Sequence, residues 1–197
     1  MIGSITIAYM SRARIRLAGA RDSVALAEMR YRFRAETGRA TEKKSQFVKR
    51  CASWMKRRFH RKSSAWRCWI FEDGKQLLGH VCVQLFEKIP NPVAEREVHA
   101  YVTNCYVVPE RRNRKIGDQL LQKALAWCRT QGIDAVILWP TPGSKSFYRR
   151  SGFGPAEDIF EFRAEPRSRT RSARLLRARP PAMWPCQTCL ARVLLLF

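Results

Sequence analysis

Between Ala100 and Leu125 the chain reads AYVTNCYVVPERRNRKIGDQLLQKAL, where an apolar, β-branched run stops at a proline, crosses a cationic turn and enters an amphipathic stretch. Tyr101, Val102, Tyr106, Val107 and Val108 favour a pleated strand, and Pro109 withdraws a ladder donor and ends it. Arg111, Arg112, Arg114 and Lys115 occupy the turn. Leu120, Leu121, Ala124, Leu125 and Cys128 then recur at helical spacing, so a helix is expected from Gly117 with one face buried. The first N–H groups of a helix have no intrahelical acceptor, and its dipole favours negative charge there. A strand delivered through a basic turn into such an end predicts a cradle for a phosphate-bearing ligand.

The remaining pattern surrounds that unit with a sheet and more helices. A short strand is expected near Ile15 to Leu17, and Arg21-Asp22-Ser23 can cap a helix that runs through Leu26, Met29 and Phe33 to Gly38. Phe47, Cys51, Met55 and Phe59 recur every fourth residue, which predicts a second helix over Glu42 to Phe59. Trp66 to Phe71 and Leu77 to Phe86 read as strands joined through Glu72-Asp73-Gly74-Lys75, a hairpin signal. Ala135 to Leu138 has the continuous apolar character of a central strand, Ser144 to Arg150 reads as a brief helix, and a last strand is expected around Ile159 to Phe162. The order β-α-α-β-β-β-α-β-α-β describes an α/β (α+β) domain with a central mixed sheet and helices on both faces.

At 197 residues the chain accommodates one such domain, expected over 13–165 between an N-terminal extension, 1–12, and a tail, 166–197. The net charge of +22 is unevenly placed: residues 1–165 carry 31 basic against 16 acidic residues, and the tail carries 7 against none, as a disordered basic segment would. Seven cysteines, an odd number, fit reduced thiols in the cytoplasm better than a disulfide scaffold. Cys82, Cys105 and Cys128 sit within apolar patterns and read as small buried hydrophobes. Only Cys186 and Cys189 have metal-ligand spacing, and a single CxxC is a weak ligand set, so no metal is expected. No run approaches the ~20 apolar residues that cross a bilayer, so no membrane association is expected.

Two motifs resemble those of the GNAT superfamily of N-acetyltransferases, over about residues 15–162. The family's phosphate-binding signature, Arg or Gln, two residues, Gly, one residue, then Gly or Ala, is met by Arg112-Asn113-Arg114-Lys115-Ile116-Gly117, with Lys115 in place of the first glycine. The second, a Tyr four residues ahead of Gly-Phe, is met by Tyr148 and Gly152-Phe153. The resemblance implies a sheet splayed between its fourth and fifth strands and acetyl-CoA as acyl donor. It places the pyrophosphate on the backbone of Arg112, Asn113, Arg114, Lys115, Ile116, Gly117 and Asp118, with the pantetheine arm along Tyr106, Val107 and Val108. It also implies direct transfer to a primary amine in a ternary complex, by a monomer or homodimer, with Tyr148 as the acid that protonates the departing thiolate. A glycine at position 115 would let backbone approach the pyrophosphate more closely.

Aminolysis of a thioester makes demands of its own. An amine of pKa near 10 is only about 0.1% neutral at pH 7, so its proton needs an acceptor. Glu87, Glu97, His99 and Glu110 are the bases that sequence offers. The oxyanion needs a preplaced donor, for which the resemblance implies the backbone N–H near Val107 or Val108. Ten basic residues and no acidic one lie between Lys43 and Arg67, a solvated basic face or a receiver of an anionic acceptor, of the 3′-phosphate of CoA, or of nucleic acid. A basic nucleic-acid-binding protein and an inactive acyl-CoA sensor are the alternatives to catalysis; the first leaves both motifs unexplained.

Overall fold

The computed structural model describes residues 13–59, 64–157 and 159–162. The chain divides into two units, 1–155 and 156–197, and all regular structure among the described residues belongs to the first. Its elements are β1 (Arg14–Leu17), α1 (Ser23–Glu36), α2 (Lys44–Phe59), β2 (Trp66–Asp73), β3 (Gln76–Glu87), β4 (Val98–Val107), α3 (Ile116–Thr130), β5 (Val136–Ile137) and α4 (Lys145–Arg150). Three short 3₁₀ turns punctuate them at Ala20–Asp22, Pro109–Arg111 and Pro142–Ser144.

The five strands lie in sequence order, β1 to β4 antiparallel and β5 parallel to β4. Gly74 takes the left-handed conformation (φ 61°) that the tight β2–β3 turn requires. One sheet face buries the stripe of α3, in which Leu120, Leu121, Ala124 and Cys128 pack with Val81, Val83, Ala100 and Val102. On the other, Leu26 of α1 and Met55 of α2 cover Cys68, Ile70 and Cys82. Cys82 and Cys128 are thus buried as expected, whereas Cys105 is half-buried.

Two details depart from the sequence pattern. Asp22 does not cap α1 with its side chain: its residue is already helical, and its carboxylate takes both Arg16 Nη donors at 2.8 Å and the Gly19 N–H at 2.7 Å. The buried Glu72 completes this cluster with Arg14 and Arg16. Residues 159–162 form no strand, and Phe160 and Phe162 are more than 90% exposed; an alternating apolar run without a ladder or a covering layer has nothing to bury it. The proposed tail, the N-terminal extension and the Cys186/Cys189 pair lie outside the described residues.

β4 carries a bulge. Cys82 pairs with Thr103 but His80 pairs with Tyr106, so Asn104 and Cys105 together oppose Val81, with Asn104 at φ 53°. Before the bulge Ala100 and Val102 face α3; after it Val107 does, opposite Gly79, while Tyr106 turns toward α1. Gly79 is where the helix comes closest: a Cβ there would meet Leu120 at 3.0 Å, the Tyr106 carbonyl oxygen at 3.1 Å and Ile116 at 3.3 Å.

Candidate active site

β5 pairs with β4 only through Ala100↔Val136 and Tyr101↔Ile137. Beyond Tyr101 the outer edge of β4 therefore has no strand partner among the described residues, as a splayed sheet requires. A cavity of about 620 Å³ opens against that edge, between the end of α1, the turn after β4, the start of α3, and α4.

Its cationic wall is the junction that opens the chain's longest motif. Lys115 precedes α3 at φ 60°, Asn113 also lies at φ 60°, and the first helical bond runs from the Gln119 N–H to the Lys115 carbonyl. The N–H groups of Ile116, Gly117 and Asp118 thus come before any intrahelical acceptor, and the left-handed residues beside them curve the backbone into an anion-binding concavity. The left-handed turn gives a conformational reason why glycine suits position 115. A Cβ on Gly117 would touch the Phe147 ring at 3.5 Å and Val107 at 3.8 Å, so the passage between α3, β4 and α4 is one methyl wide at this point. These donors and this passage fit a pyrophosphate with an extended arm.

Edge geometry sorts the two oxyanion donors. The Val108 N–H is taken by the Leu78 carbonyl at 2.9 Å. That bond flanks the Gly79↔Val107 pair, which is the non-hydrogen-bonded kind, so the Val107 N–H points out from the ladder at the free edge. Of the motif residues, Tyr106, Val107, Arg112, Asn113, Lys115, Ile116, Gly117 and Asp118 line the cavity; Val108 is buried beneath it, and Arg114 is exposed outside it.

Arg112 is held by protein partners. Its Nε donates to the Val107 carbonyl at 3.1 Å and its Nη2 to Glu36, whose other oxygen accepts the Tyr106 hydroxyl at 2.6 Å. Burial alone would raise the Glu36 pKa, but the Tyr106 and Arg112 hydrogen bonds outweigh it and hold the carboxyl below its usual range. Burial and the same carboxylate push Tyr106 up to about 12. Glu36 was not singled out by sequence; a lone acid at a helix end, remote in sequence from both motifs, carries no local signal.

Tyr148 packs between Phe147 (4.9 Å between rings) and Phe153 (5.8 Å). It stands behind the cavity wall, its hydroxyl near Cys105, which does line the cavity. Burial, with Cys105 close by, raises the phenol well above its ordinary pKa, and burial pushes the Cys105 thiol up to about 12. Glu87, Glu97 and His99 are brought together at the opposite end of the β3–β4 ladder. At about 3.3 Å per residue, His99 is roughly 26 Å along β4 from Val107, so none of the three reaches the cavity. Glu110, in the 3₁₀ turn, is exposed and not part of its wall.

Residues 29–153 match the model of the Acetyltransferase (GNAT) family. The chain belongs to the GNAT family. Solved structures agree on the fold. A GCN5-related N-acetyltransferase from Ralstonia eutropha JMP134 superposes with a TM-score of 0.64 at 23% identity, over 76% of this chain and 97% of that one. A predicted acetyltransferase with acetyl-CoA from Clostridium acetobutylicum gives 0.65 at 18% identity, over 77% and 96%. An aminoglycoside N-acetyltransferase in complex with CoA gives 0.59 at 12% identity, over 79% and 97%. A search of curated proteins by sequence returns no significant match. No helix among the described residues of this GNAT protein is long and apolar enough to cross a membrane, and no group of three metal-ligating side chains occurs among them.

Proposed function

We propose that this GNAT protein transfers the acetyl group of acetyl-CoA to a primary amine by direct attack within a ternary complex. The observation that carries the reading is that one cavity joins the free N–H groups at the start of α3 to the outward N–H of Val107 on the unpaired edge of β4. The first set suits a pyrophosphate; the second lies where a thioester carbonyl laid along that edge would develop negative charge. Acetyl-CoA supplies an activated acyl carbon. The amine nitrogen forms the new C–N bond as the C–S bond breaks, so the nitrogen gives up one proton, to water in the solvent-open cavity, and the sulfur takes one. Tyr148, which keeps its proton throughout the neutral range, gives the sulfur its proton. Cys105, between Tyr148 and the cavity, stays a neutral thiol and forms no acyl-enzyme, because burial disfavours its thiolate.

The test is thiol release from acetyl-CoA against amino acids, polyamines, aminoglycosides and peptides, with Tyr148→Phe in parallel. Release with at least one amine class is expected, and the Phe variant should turn over more slowly while binding CoA as before. CoA binding with no release against the whole panel would instead make the protein a sensor, and a Phe variant with full turnover at every pH would remove Tyr148 from the chemistry.

A further inference from the structure

A second cavity, of about 460 Å³, lies on an adjoining face of α1, between that helix and the start of α2. Its walls carry four guanidinium groups, Arg30, Arg34, Arg39 and Arg50, against a single carboxylate, Glu42. Glu42 is already engaged by Arg50, 2.6 Å away. Arg30, Arg34 and Arg39 form no ion pair among the described residues. Arg34 rests on the Phe33 ring (5.2 Å) and Arg50 on Phe47 (5.4 Å), so aromatic faces support the charges without neutralising them. Phe47 and Arg50 also belong to the first turns of α2, whose first turn contains no acidic residue, so the positive end of that helix dipole adds to the same field.

Arg30 links this cavity to the β4 edge. Its guanidinium is half-buried, and its Nη1 donates to Asn104 Oδ1 at 2.8 Å, on the bulge of β4 that leads directly into Cys105 and Tyr106 of the acyl cavity. A neutral amide is its sole side-chain hydrogen-bond partner among the described residues, and a partly desolvated cation without a counter-charge is unfavourable unless something anionic completes it. On α1, Phe33, Glu36 and Thr37 line the acyl cavity while Arg30, Tyr31 and Arg34 line this one, so the two lie on adjoining faces of one helix end.

We infer that this arginine pocket receives an oxyanion, a carboxylate or a phosphate, carried by the same small molecule that presents the amine. The inference rests on the acetyltransferase reading and names its acceptor class. Planar guanidinium forks match both oxyanions, and the same field repels polycations such as aminoglycosides and polyamines.

Two measurements separate this inference from the reading beneath it. The first is calorimetry with glutamate, phosphoserine and inorganic phosphate on the full chain without CoA. Binding of glutamate or phosphoserine is expected, and it should weaken about tenfold in an Arg34→Gln/Arg39→Gln double variant, a typical loss for interfacial charges. Glu42→Gln, which removes the competing carboxylate, should tighten it, an opposite change that misfolding cannot produce. Glutamate against phosphoserine tells which oxyanion is preferred. The second is acetyl transfer, where anionic amines should outrun polyamines and aminoglycosides, and the double variant should raise their KM while CoA affinity holds. Absence of anion binding, indifference of binding to all these substitutions, or preference for polycationic amines would overturn the pocket's assignment. So would a double variant that loses affinity for CoA but not for dephospho-CoA, because the pocket would then hold the 3′-phosphate. Anion binding together with no CoA binding would leave the pocket standing and remove the acetyltransferase reading.

Discussion

Gly117 offers a graded test of the passage beside α3. The backbone there is not left-handed, so an L side chain fits, and the nearest atoms to a new Cβ are Phe147 Cε2 at 3.5 Å, Phe147 Cζ at 3.6 Å and Val107 Cγ2 at 3.8 Å. All three are ordinary contacts, so Gly117→Ala needs no rearrangement. Removing glycine's excess freedom from the unfolded chain should stabilise the fold by about 0.5–1 kcal/mol, or roughly 1–4 °C in Tm. One methyl narrows a passage that is itself one methyl wide, so CoA affinity should already fall, by about threefold. Gly117→Val adds two methyls about 1.5 Å beyond a Cβ that already touches both walls. Its lower helix propensity returns stability close to that of the parent, by about 0.5 kcal/mol. The passage closes, and CoA affinity should fall at least about tenfold, or ~1.4 kcal/mol. Thermal unfolding and calorimetry with CoA on the three proteins give the answer. A folded valine variant that binds CoA like the parent would refute the placement of the pantetheine arm between α3, β4 and α4.

Three further outcomes are expected. Lys115→Gly removes a non-glycine residue from φ 60°, a conformation that costs about 1–2 kcal/mol, and should be more stable than Lys115→Ala and bind CoA more tightly than the parent; unchanged or weaker affinity by calorimetry would make the lysine a productive phosphate contact. Gly79→Ala pushes a Cβ against the Tyr106 carbonyl oxygen and Ile116 and should destabilise by about 1–3 kcal/mol in urea titration while displacing the start of α3. His80 is buried, accepts from Asn104 at Nε2, and has its pKa lowered to about 4, chiefly by burial and further by Arg30. The unfolded chain, near pH 6.5, takes up the proton that the fold resists, so stability falls by about 3 kcal/mol as pH drops from above 6.5 to 4; His80→Gln should flatten that slope, and an unchanged slope would contradict it.

How much of this was legible depended on whether a residue's role is local. The α3 stripe, the turn at Gly74 and the junction at Lys115 are settled by neighbours in sequence, and all three appear where the pattern places them. Glu36, Arg30 and Arg34 act through partners more than sixty residues away or through a cavity that exists only once α1 and α2 are packed, and no spacing announces that. The acids and histidine entering β4 looked catalytic because they flank the motif strand, but a strand has two ends, and theirs is the wrong one. Asp22 shows the same limit at short range: it has the chemistry of a cap, and a stronger partner, Arg16, claims it.

The extra residue at Asn104 and Cys105 means that β4 is read in two frames. Even-numbered side chains belong to the α3 layer upstream and to the α1 layer downstream, so the parity rule that assigns a face inverts in mid-strand. Deleting either residue would remove the bulge and merge the two frames while leaving Tyr106 opposite His80 and Val107 opposite Gly79, so no side chain would change layer. What such a deletion takes away is the bend and extra twist that the bulge gives the strand just ahead of the cavity, so losing one residue here reshapes that edge, whereas the same loss in the β3–β4 connection only changes a loop's length.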